Sequence, residues 1–293
     1  MQLTDFPHRP LIVAAVTPLT DDGAALDEGA IAPYAAFLAS HGADGAFVCG
    51  TTGEGVLLSL DERQRVAARF REAVPGALIV HAGAQTTADT CALAAHAAAI
   101  GADGVAVIAP PYFPLDADAL TAHFVAAARA CAPLPFYCYA FAARSGYPLP
   151  VEVIRRIGAS VDNLAGLKVS ESPFASVEPY LDLGLPVLVG NEPLISAALE
   201  RGAIGTVSGM AAAFPDVVRA ALDAGDARGA ERLAALRATM EASGQFIAAA
   251  KHVLGMRGVP VGPGMRAPLR RLTAAEASSL EATAAEFASP LPA

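Results

Sequence analysis

The chain has no tryptophan, few cysteines and almost no lysine. Its 20 basic residues include only two lysines, Lys168 and Lys251, so nearly all of its cationic side chains are arginine. The four cysteines contain no C-x-x-C pair, which favours reduced, buried thiols over a disulfide framework or a zinc site. The six histidines are scattered, without an H-E-x-x-H motif, so the sequence predicts no bound metal.

The chain also lacks an excess of positive charge and a long apolar run. Its formal net charge of −9 argues against nucleic acid or an anionic membrane surface as a partner. No apolar run approaches the roughly 20 residues that a membrane helix needs. The first ten residues, MQLTDFPHRP, contain an acidic residue and two prolines but no apolar signal core, which predicts a cytoplasmic protein.

Short β-rich apolar runs alternate with longer alanine- and leucine-rich segments of helical period. The predicted strands are 11–18, 45–50, 77–83, 104–110, 134–140, 164–170, 186–190 and 205–209, with helices between them such as 27–41, 59–74 and 87–100. One junction recurs in HGADGAFVCG, IGADGVAVIA and RGAIGTVSG, where a glycine ends a helix just before a strand. Eight strands joined in this way favour a closed (β/α)₈ barrel.

A doubly wound sheet is the competing architecture, but no G-x-G-x-x-G motif follows the first strand. The predicted barrel occupies residues 1–223. Residues 224–293 are predicted to form two or three alanine-rich helices, interrupted at 258–268, which pack on the barrel as part of the same domain.

In a barrel of this kind, functional groups collect where strands end and the following loops begin. The polar residues at these positions are Thr17, GTTGEG at 50–55, His81, Tyr112, Tyr139 with Arg144, Lys168 with Ser170, GNE at 190–192, and Thr206 with Ser208. Reactive side chains of several types are therefore expected on one rim.

Lys168 is the most informative of these residues because it lies in NLAGLKVSES, a run typical of a short buried strand. Burial disfavours the ammonium form and leaves some free amine, which can attack a carbonyl and form a Schiff base. The alternative is a lysine that extends its charged end to solvent while its stem packs on apolar neighbours. Lys251, inside a late alanine-rich helix, is expected to be a solvated surface residue.

Two further features fit chemistry on a 2-oxo acid. Tyr139, at the end of the preceding strand, can carry protons, and GTTG offers backbone N–H groups and hydroxyls to a carboxylate. Each also has a simpler interpretation, Tyr139 as a core aromatic and GTTGEG as a tight turn with a helix N-cap. Together with Lys168 they predict an enzyme that activates a 2-oxo acid.

Four motifs resemble those of the dihydrodipicolinate synthase/N-acetylneuraminate lyase family. They are GTTGEGVLLSLDER at 50–63, Tyr139 followed five residues later by Arg144-Ser-Gly, GLKVS at 166–170, and RAPL at 266–269. The resemblance implies a (β/α)₈ barrel with C-terminal helices and class I Schiff-base chemistry, with no cofactor beyond the covalent imine on Lys168. It also implies a homotetramer built as a dimer of dimers.

The resemblance assigns a role to each matching residue. Lys168 would form the imine, Tyr139 would transfer protons beside it, and Thr51 and Thr52 would hold the carboxylate and relay protons. Tyr112 would enter the site of a neighbouring subunit, although a one-residue shift of register would give that position to Phe113. The other implied substrate-binding residues are Gly50, Arg144, Ser170, Gly190, Glu192, Thr206 and Val207.

Several of these residues have alternative roles that the sequence leaves open. Tyr112 could be a core aromatic, Arg144 a surface ion-pair residue, and Glu192 a cap at a helix start, where the helix dipole favours an acid. His81 is expected to be a packed residue rather than a catalytic base.

The motifs leave three functions in competition. Ser170, and YAFA in place of the synthase's Tyr-Asn-x-Pro, favour a lyase, aldolase or dehydratase acting on a hydroxylated or deoxy 2-oxo acid. Arg144 favours the alternative, 4-hydroxy-tetrahydrodipicolinate synthase, which condenses pyruvate with aspartate semialdehyde. A barrel that binds a keto acid without turnover is the third hypothesis, and the presence of both Lys168 and Tyr139 counts against it.

Overall fold

Eight parallel strands form a closed barrel in the computed structural model, which describes residues 3–288. Each strand pairs with the next along the chain, and β1 closes the ring against β8. The strands are β1 (Leu11–Ala14), β2 (Gly45–Val48), β3 (Ala77–His81), β4 (Gly104–Ile108), β5 (Phe136–Ala140), β6 (Leu164–Val169), β7 (Val187–Val189) and β8 (Gly205–Ser208). The predicted barrel is therefore confirmed, with most strands shorter than the sequence suggests.

Helices follow every strand and form the outer layer. Within residues 3–288 they are α1 (Ile31–Ser40), α2 (Leu60–Ala73), α3 (Thr87–Ala99), α4 (Ala117–Cys131), α5 (Ala142–Ser145), α6 (Val151–Gly158), α7 (Glu178–Leu181), α8 (Ile195–Glu200), α9 (Pro215–Ala224), α10 (Ala227–Glu241), α11 (Phe246–Met256) and α12 (Ala274–Ala288). The last three follow the final strand and pack against one another, while α10 also contacts α9.

Local sequence explains where the helices begin and end. Ser59 accepts the backbone N–H of Glu62 and the Glu62 carboxylate accepts that of Ser59, so α2 begins with a complete capping box. The three recurring glycine junctions have positive φ at Gly42, Gly101 and Gly202, which is the left-handed conformation that ends a helix. These junctions send the chain directly into β2, β4 and β8.

The barrel wall separates two cores. Alternate strand residues fill the interior, where Ile12, Phe47, Tyr139, Leu188 and Val207 belong to one buried cluster. The other face of each strand packs against the helices in a second, larger cluster. Both faces are buried, so the strands are largely apolar, as expected for a parallel sheet covered by helices, and their polar residues lie mainly near their C-terminal ends.

Three properties of the described residues complete the fold. The four cysteines are free, with Cys49, Cys131 and Cys138 buried and Cys91 half-buried. Among residues 3–288, no helix is both long and apolar enough to cross a membrane. No cluster of three or more histidine, cysteine or acidic side chains that could hold a metal ion occurs in the same range.

Candidate active site

Lys168 and Tyr139 face each other inside the barrel at its C-terminal end. Their Cα atoms are paired across β5 and β6, so both side chains leave neighbouring strands on the same face. The Lys168 Nζ lies 4.1 Å from the centroid of the Tyr139 ring and 4.0 Å from that of Phe47. Only 5% of Lys168 is exposed, so it does not extend its charged end to solvent as the alternative interpretation proposed.

The surroundings of Lys168 favour its neutral form. Burial lowers the pKa of Lys168 to about 7, and the nearby Glu192 carboxylate opposes this shift because it stabilises the ammonium. At neutral pH a substantial fraction of Lys168 is therefore a free amine, the form that attacks a carbonyl. The sequence predicted the direction of this shift from burial alone.

The Tyr139 hydroxyl is the centre of a small polar network. Thr51 and Ser170 lie close enough to this hydroxyl to stabilise its ionised form, and the charge of Arg144 acts in the same direction. Burial nevertheless dominates and raises the pKa of Tyr139 to about 12, so the phenol holds its proton at neutral pH. Three residues from three different loops thus meet at one hydroxyl, as the sequence predicted for this rim.

The GTTGEG run leaves β2 and forms a tightly held loop at residues 50–55. The Thr17 hydroxyl donates to the Gly53 carbonyl at 2.7 Å, and the Gly55 N–H donates to the Gly50 carbonyl at 3.0 Å. Thr52 is buried, whereas Thr51 is half-buried beside Tyr139. This geometry brings Thr51 to the reaction centre, whereas the Thr52 hydroxyl lies beside Gly209, and a carboxylate role for the two threonines remains a prediction.

Gly190 and Ser170 lie against each other beside the lysine. A Cβ atom on Gly190 would overlap the Ser170 hydroxyl and would lie 3.4 Å from the Lys168 Cε. Glycine is therefore required at this position if Ser170 is to keep its place beside Tyr139.

Glu192 is buried, and its carboxylate is engaged by three donors. The Ser208 hydroxyl and the Met210 N–H donate to its Oε1 at 2.8 and 3.1 Å, and Arg237 on α10 lies 3.0 Å from its Oε2. Glu192 thus caps the 3-10 turn after β8 rather than a helix start of its own. It acts on the site as a fixed negative charge near Lys168.

The structure contradicts the placement of Thr206 in the pocket. Its hydroxyl is fully buried and donates to the Val189 carbonyl at 2.6 Å on the helix-facing side of the barrel wall. Val207, one residue later, faces the barrel interior as strand alternation requires. Of these two predicted residues, only Val207 can contribute to the pocket.

The prediction that Lys251 is a solvated surface residue is wrong. Its side chain is completely buried, and its Nζ donates to Glu54 Oε1 and to the Gly264 carbonyl, both at 2.6 Å. The other oxygen of Glu54 accepts the N–H of Arg266 at 2.7 Å. A cation on α11 thereby reaches the loop that carries Thr51 and Thr52.

A cleft of about 920 Å³ opens above the reaction centre. Its walls come from the loops after β2 to β5 and from the C-terminal segment, and include Thr51, His81, Arg144, Gln245 and Leu269. The contribution of residues 244–248 and 265–269 was not predicted, because nothing in those segments marks them as neighbours of the strand ends. The cleft is large enough for a substrate longer than three carbons.

Arg144 lines the cleft, whereas Tyr112 does not and follows the wall residue Pro111. Among residues 3–288, Arg144 forms no ion pair, so its exposed guanidinium is not the surface ion-pair residue of the alternative interpretation. Tyr112 is 83% exposed and adopts φ 83°, and Phe113 is 69% exposed. Tyr112 is therefore not a core aromatic, and both rings project from the chain.

Two further titratable residues lie close to the lysine and tyrosine. His81 has its Nδ1 3.1 Å from the Cys49 carbonyl, and burial lowers its pKa to about 3, which makes it a weak base. Glu171, which the sequence reasoning missed, accepts the Ala142 N–H at 2.9 Å, and burial raises its pKa. Glu171 thus fixes the turn that carries Arg144.

The fold and the site define a (β/α)₈-barrel protein with a buried, deprotonatable lysine in contact with a buried tyrosine. The sequence profile of the Dihydrodipicolinate synthetase family matches residues 7–287. The chain therefore belongs to this family and is a lyase of it, as its motifs predicted.

Relatives in sequence and structure agree with this assignment. An uncharacterized DapA-like lyase of Halobacterium salinarum is 35% identical over 288 residues, which cover 94% of this chain and 93% of the relative. The 4-hydroxy-tetrahydrodipicolinate synthase 1 of Streptomyces coelicolor is 33% identical over 292 residues, with 96% and 95% covered. The structure of Proteus mirabilis N-acetylneuraminate lyase superimposes with a TM-score of 0.87 at 29% identity, over 95% of this chain and 98% of that one.

Proposed function

We propose that this chain is a class I lyase or aldolase that cleaves or dehydrates a hydroxylated or deoxy 2-oxo acid through an imine on Lys168. The observation that carries the proposal is the contact of the Lys168 amine with the Tyr139 ring, in a pocket that lowers the pKa of the lysine to about 7. A neutral amine and a protonated phenol side by side are the two partners that imine formation requires.

The first step follows from the protonation states. The Lys168 amine attacks the C2 carbonyl, and the resulting carbinolamine loses its hydroxyl as water when an acid supplies a proton. Tyr139 is suited to supply that proton because it is protonated at neutral pH. The phenolate that remains is stabilised by the hydroxyls of Thr51 and Ser170 and by the charge of Arg144.

The second step uses the electron demand of the iminium. In an aldol cleavage, the C4 hydroxyl gives up its proton to the phenolate, the C3–C4 bond breaks, and its electron pair moves toward the iminium nitrogen. The products are an aldehyde and an enamine. Protonation of the enamine at C3 and hydrolysis of the imine then release pyruvate and restore the free amine.

The substrate class rests on the cleft and on Ser170. The cleft shares Thr51 with the reaction centre, and its walls carry polar groups such as Gln85, Gln245 and Arg144 that can bind hydroxyls. A panel of sugar-derived 2-oxo acids, assayed for pyruvate or dehydrated product, tests this assignment. Turnover of at least one panel member is expected, and activity only with pyruvate plus aspartate semialdehyde would refute it.

Arg144 supports the alternative, a 4-hydroxy-tetrahydrodipicolinate synthase. Its guanidinium is free of ion pairs within residues 3–288 and lines the cleft, where it could bind the carboxylate of aspartate semialdehyde. Relatives such as the Streptomyces coelicolor protein carry that name. Complementation of a diaminopimelate auxotroph distinguishes the two functions, because only the synthase restores growth.

A third candidate is a keto-acid-binding barrel without turnover. Such a protein would form the imine but release no product from any panel member. We also propose a homotetramer built as a dimer of dimers, supported by the exposed rings of Tyr112 and Phe113, which a neighbouring subunit would cover.

A further inference from the structure

The backbone of the 50–55 loop contains a conformation that needs external support. Glu54 adopts φ 56° and ψ 24°, the left-handed region that a residue with a side chain enters only at a cost. Its N–H donates to the Thr51 carbonyl at 3.1 Å, and its carbonyl accepts the Leu57 N–H at 2.8 Å. Any relaxation at Glu54 would therefore be transmitted to Thr51, three residues earlier.

The support comes from the C-terminal segment, 197 residues away along the chain. Lys251 lies 2.6 Å from Glu54 Oε1, and neither side chain has any exposed surface. Lys251 also donates a hydrogen bond to the Gly264 carbonyl. The backbone N–H of Arg266 donates to Glu54 Oε2. The Glu54 carboxylate is thus fixed from two sides, by the Lys251 amine and by the backbone N–H of Arg266.

Stability of the fold is a weak explanation for this arrangement. Replacing a buried ion pair by uncharged residues is often neutral or stabilising, because the desolvation of two charges offsets most of their attraction. The Lys251–Glu54 pair instead fixes the position of Glu54, a strained residue of the loop that carries Thr51 and Thr52.

We propose that Lys251 is a positioning residue, which acts through Glu54 to fix the 50–55 loop so that Thr51 and Thr52 meet the carboxylate of the substrate. The identity of that ligand rests on the proposed function, but the positioning of the loop does not. A carboxylate is held equally in the ground state and in the transition state, so the loss of its contacts should raise KM, and the displacement of Thr51 from Tyr139 should lower kcat as well.

Two variants and one matched control test this role. Lys251→Met leaves the Glu54 charge buried without its partner and can prevent folding. The double variant Glu54→Gln/Lys251→Met removes both charges and is expected to fold. The control is Arg257→Met, at the end of the same helix, because Arg257 pairs with Asp216 at 2.8 Å and touches no residue of the 50–55 loop. Hydrogen exchange of backbone amides and pyruvate-dependent borohydride trapping are measured for each protein.

In the double variant, and in Lys251→Met where it folds, we expect faster exchange across residues 50–58. We also expect at least a tenfold higher pyruvate concentration for half-maximal trapping, with a maximal extent of trapping close to wild type. Arg257→Met should leave both the exchange of residues 50–58 and the pyruvate concentration for half-maximal trapping unchanged. Lys251→Arg should restore part of the lost affinity, because it keeps a cation at Glu54.

Wild-type exchange at 50–58 together with wild-type half-saturation in the double variant would overturn the proposal. A loss of maximal trapping at unchanged half-saturation would also overturn it, because that pattern indicates a smaller folded fraction rather than a displaced loop. If the wild-type protein traps neither pyruvate nor any 2-oxo acid of the panel, the proposed function fails, and the exchange of residues 50–58 alone then decides the positioning role.

Discussion

The two lysines show how far the surroundings determine what one residue type can do. Burial lowers the pKa of Lys251 and the Glu54 carboxylate opposes this shift, but the Lys251 amine is occupied by two acceptors at 2.6 Å, the Glu54 carboxylate and the Gly264 carbonyl. Lys168 makes no hydrogen bond of that kind within residues 3–288 and packs instead between the rings of Phe47 and Tyr139. Only Lys168 is therefore available as a nucleophile.

The pKa of Lys168 sets the pH dependence of imine formation. Because the attacking form is the neutral amine, the rate should rise about tenfold per pH unit below pH 7 and level off above it. Glu192→Gln removes the negative charge that stabilises the ammonium, so the pKa of Lys168 falls further and the acid limb moves to lower pH. Stopped-flow rates of imine formation between pH 5 and pH 9 check both expectations. An acid limb of the pH–rate profile at the wild-type position in Glu192→Gln would contradict the second.

Tyr139→Phe should lower kcat by about 10²–10⁴-fold, the usual contribution of a positioned proton donor, while leaving the fold intact. The matched control is Tyr137→Phe on the same strand and the same interior face, two residues toward the opposite end of the barrel. Steady-state kinetics on the best panel substrate compares them. Equal kcat values in the two variants would exclude Tyr139 from proton transfer.

At the scale of the elements, the strands were predictable and the orientation of some of their side chains was not. Continuous apolar runs and glycine junctions identify β1 to β8, but both faces of such strands are buried. In β8 the sequence GTVS alternates the hydroxyl residues Thr206 and Ser208 with Val207, but this alternation alone does not tell which set faces the interior and which faces the helices. The error at Thr206 follows directly from that ambiguity.

The error at Lys251 has a different cause. A single lysine in an alanine-rich helix is usually exposed, and the partner that reverses this expectation lies in the loop after β2. Local pattern cannot reveal a contact between residues so far apart in sequence. Lys168 and Tyr139 were predictable because each follows from the end of its own strand.

The contact between the loops after β6 and β7 gives a prediction at this scale. Gly190→Ala should displace the Ser170 hydroxyl from Tyr139, because the new methyl group would overlap it. We expect a clear loss of kcat with little change in melting temperature. Gly255→Ala on α11, where nothing lies within 4 Å of the added atom, is the control and should keep full activity. Wild-type kcat in Gly190→Ala would show that Ser170 is not needed beside Tyr139.

At the scale of the whole molecule, the C-terminal helices are part of the site and not only a cover for the barrel. Arg237 on α10 reaches Glu192, Lys251 on α11 reaches Glu54, and residues 244–248 line the cleft. The sequence placed these helices on the barrel but gave no sign of these contacts.

The exposed aromatic pair after β4 gives a prediction for the assembly. If Tyr112 enters a neighbouring site, Tyr112→Phe should keep the wild-type sedimentation coefficient and lower kcat, since only the hydroxyl is removed. Phe113→Leu should keep both the sedimentation coefficient and kcat close to their wild-type values. Sedimentation velocity and steady-state kinetics measure both, and full activity in Tyr112→Phe would refute a role for its hydroxyl.

The most direct test of the account is borohydride trapping with pyruvate, followed by intact mass and peptide mapping. The chain has only two lysines, so a side-chain adduct has only two possible positions. The account predicts one reduced pyruvyl adduct on the peptide that contains Lys168, none on Lys251, and none in Lys168→Ala. An adduct on Lys251, or none on Lys168 with pyruvate and with every longer 2-oxo acid of the panel, would contradict imine catalysis by this chain.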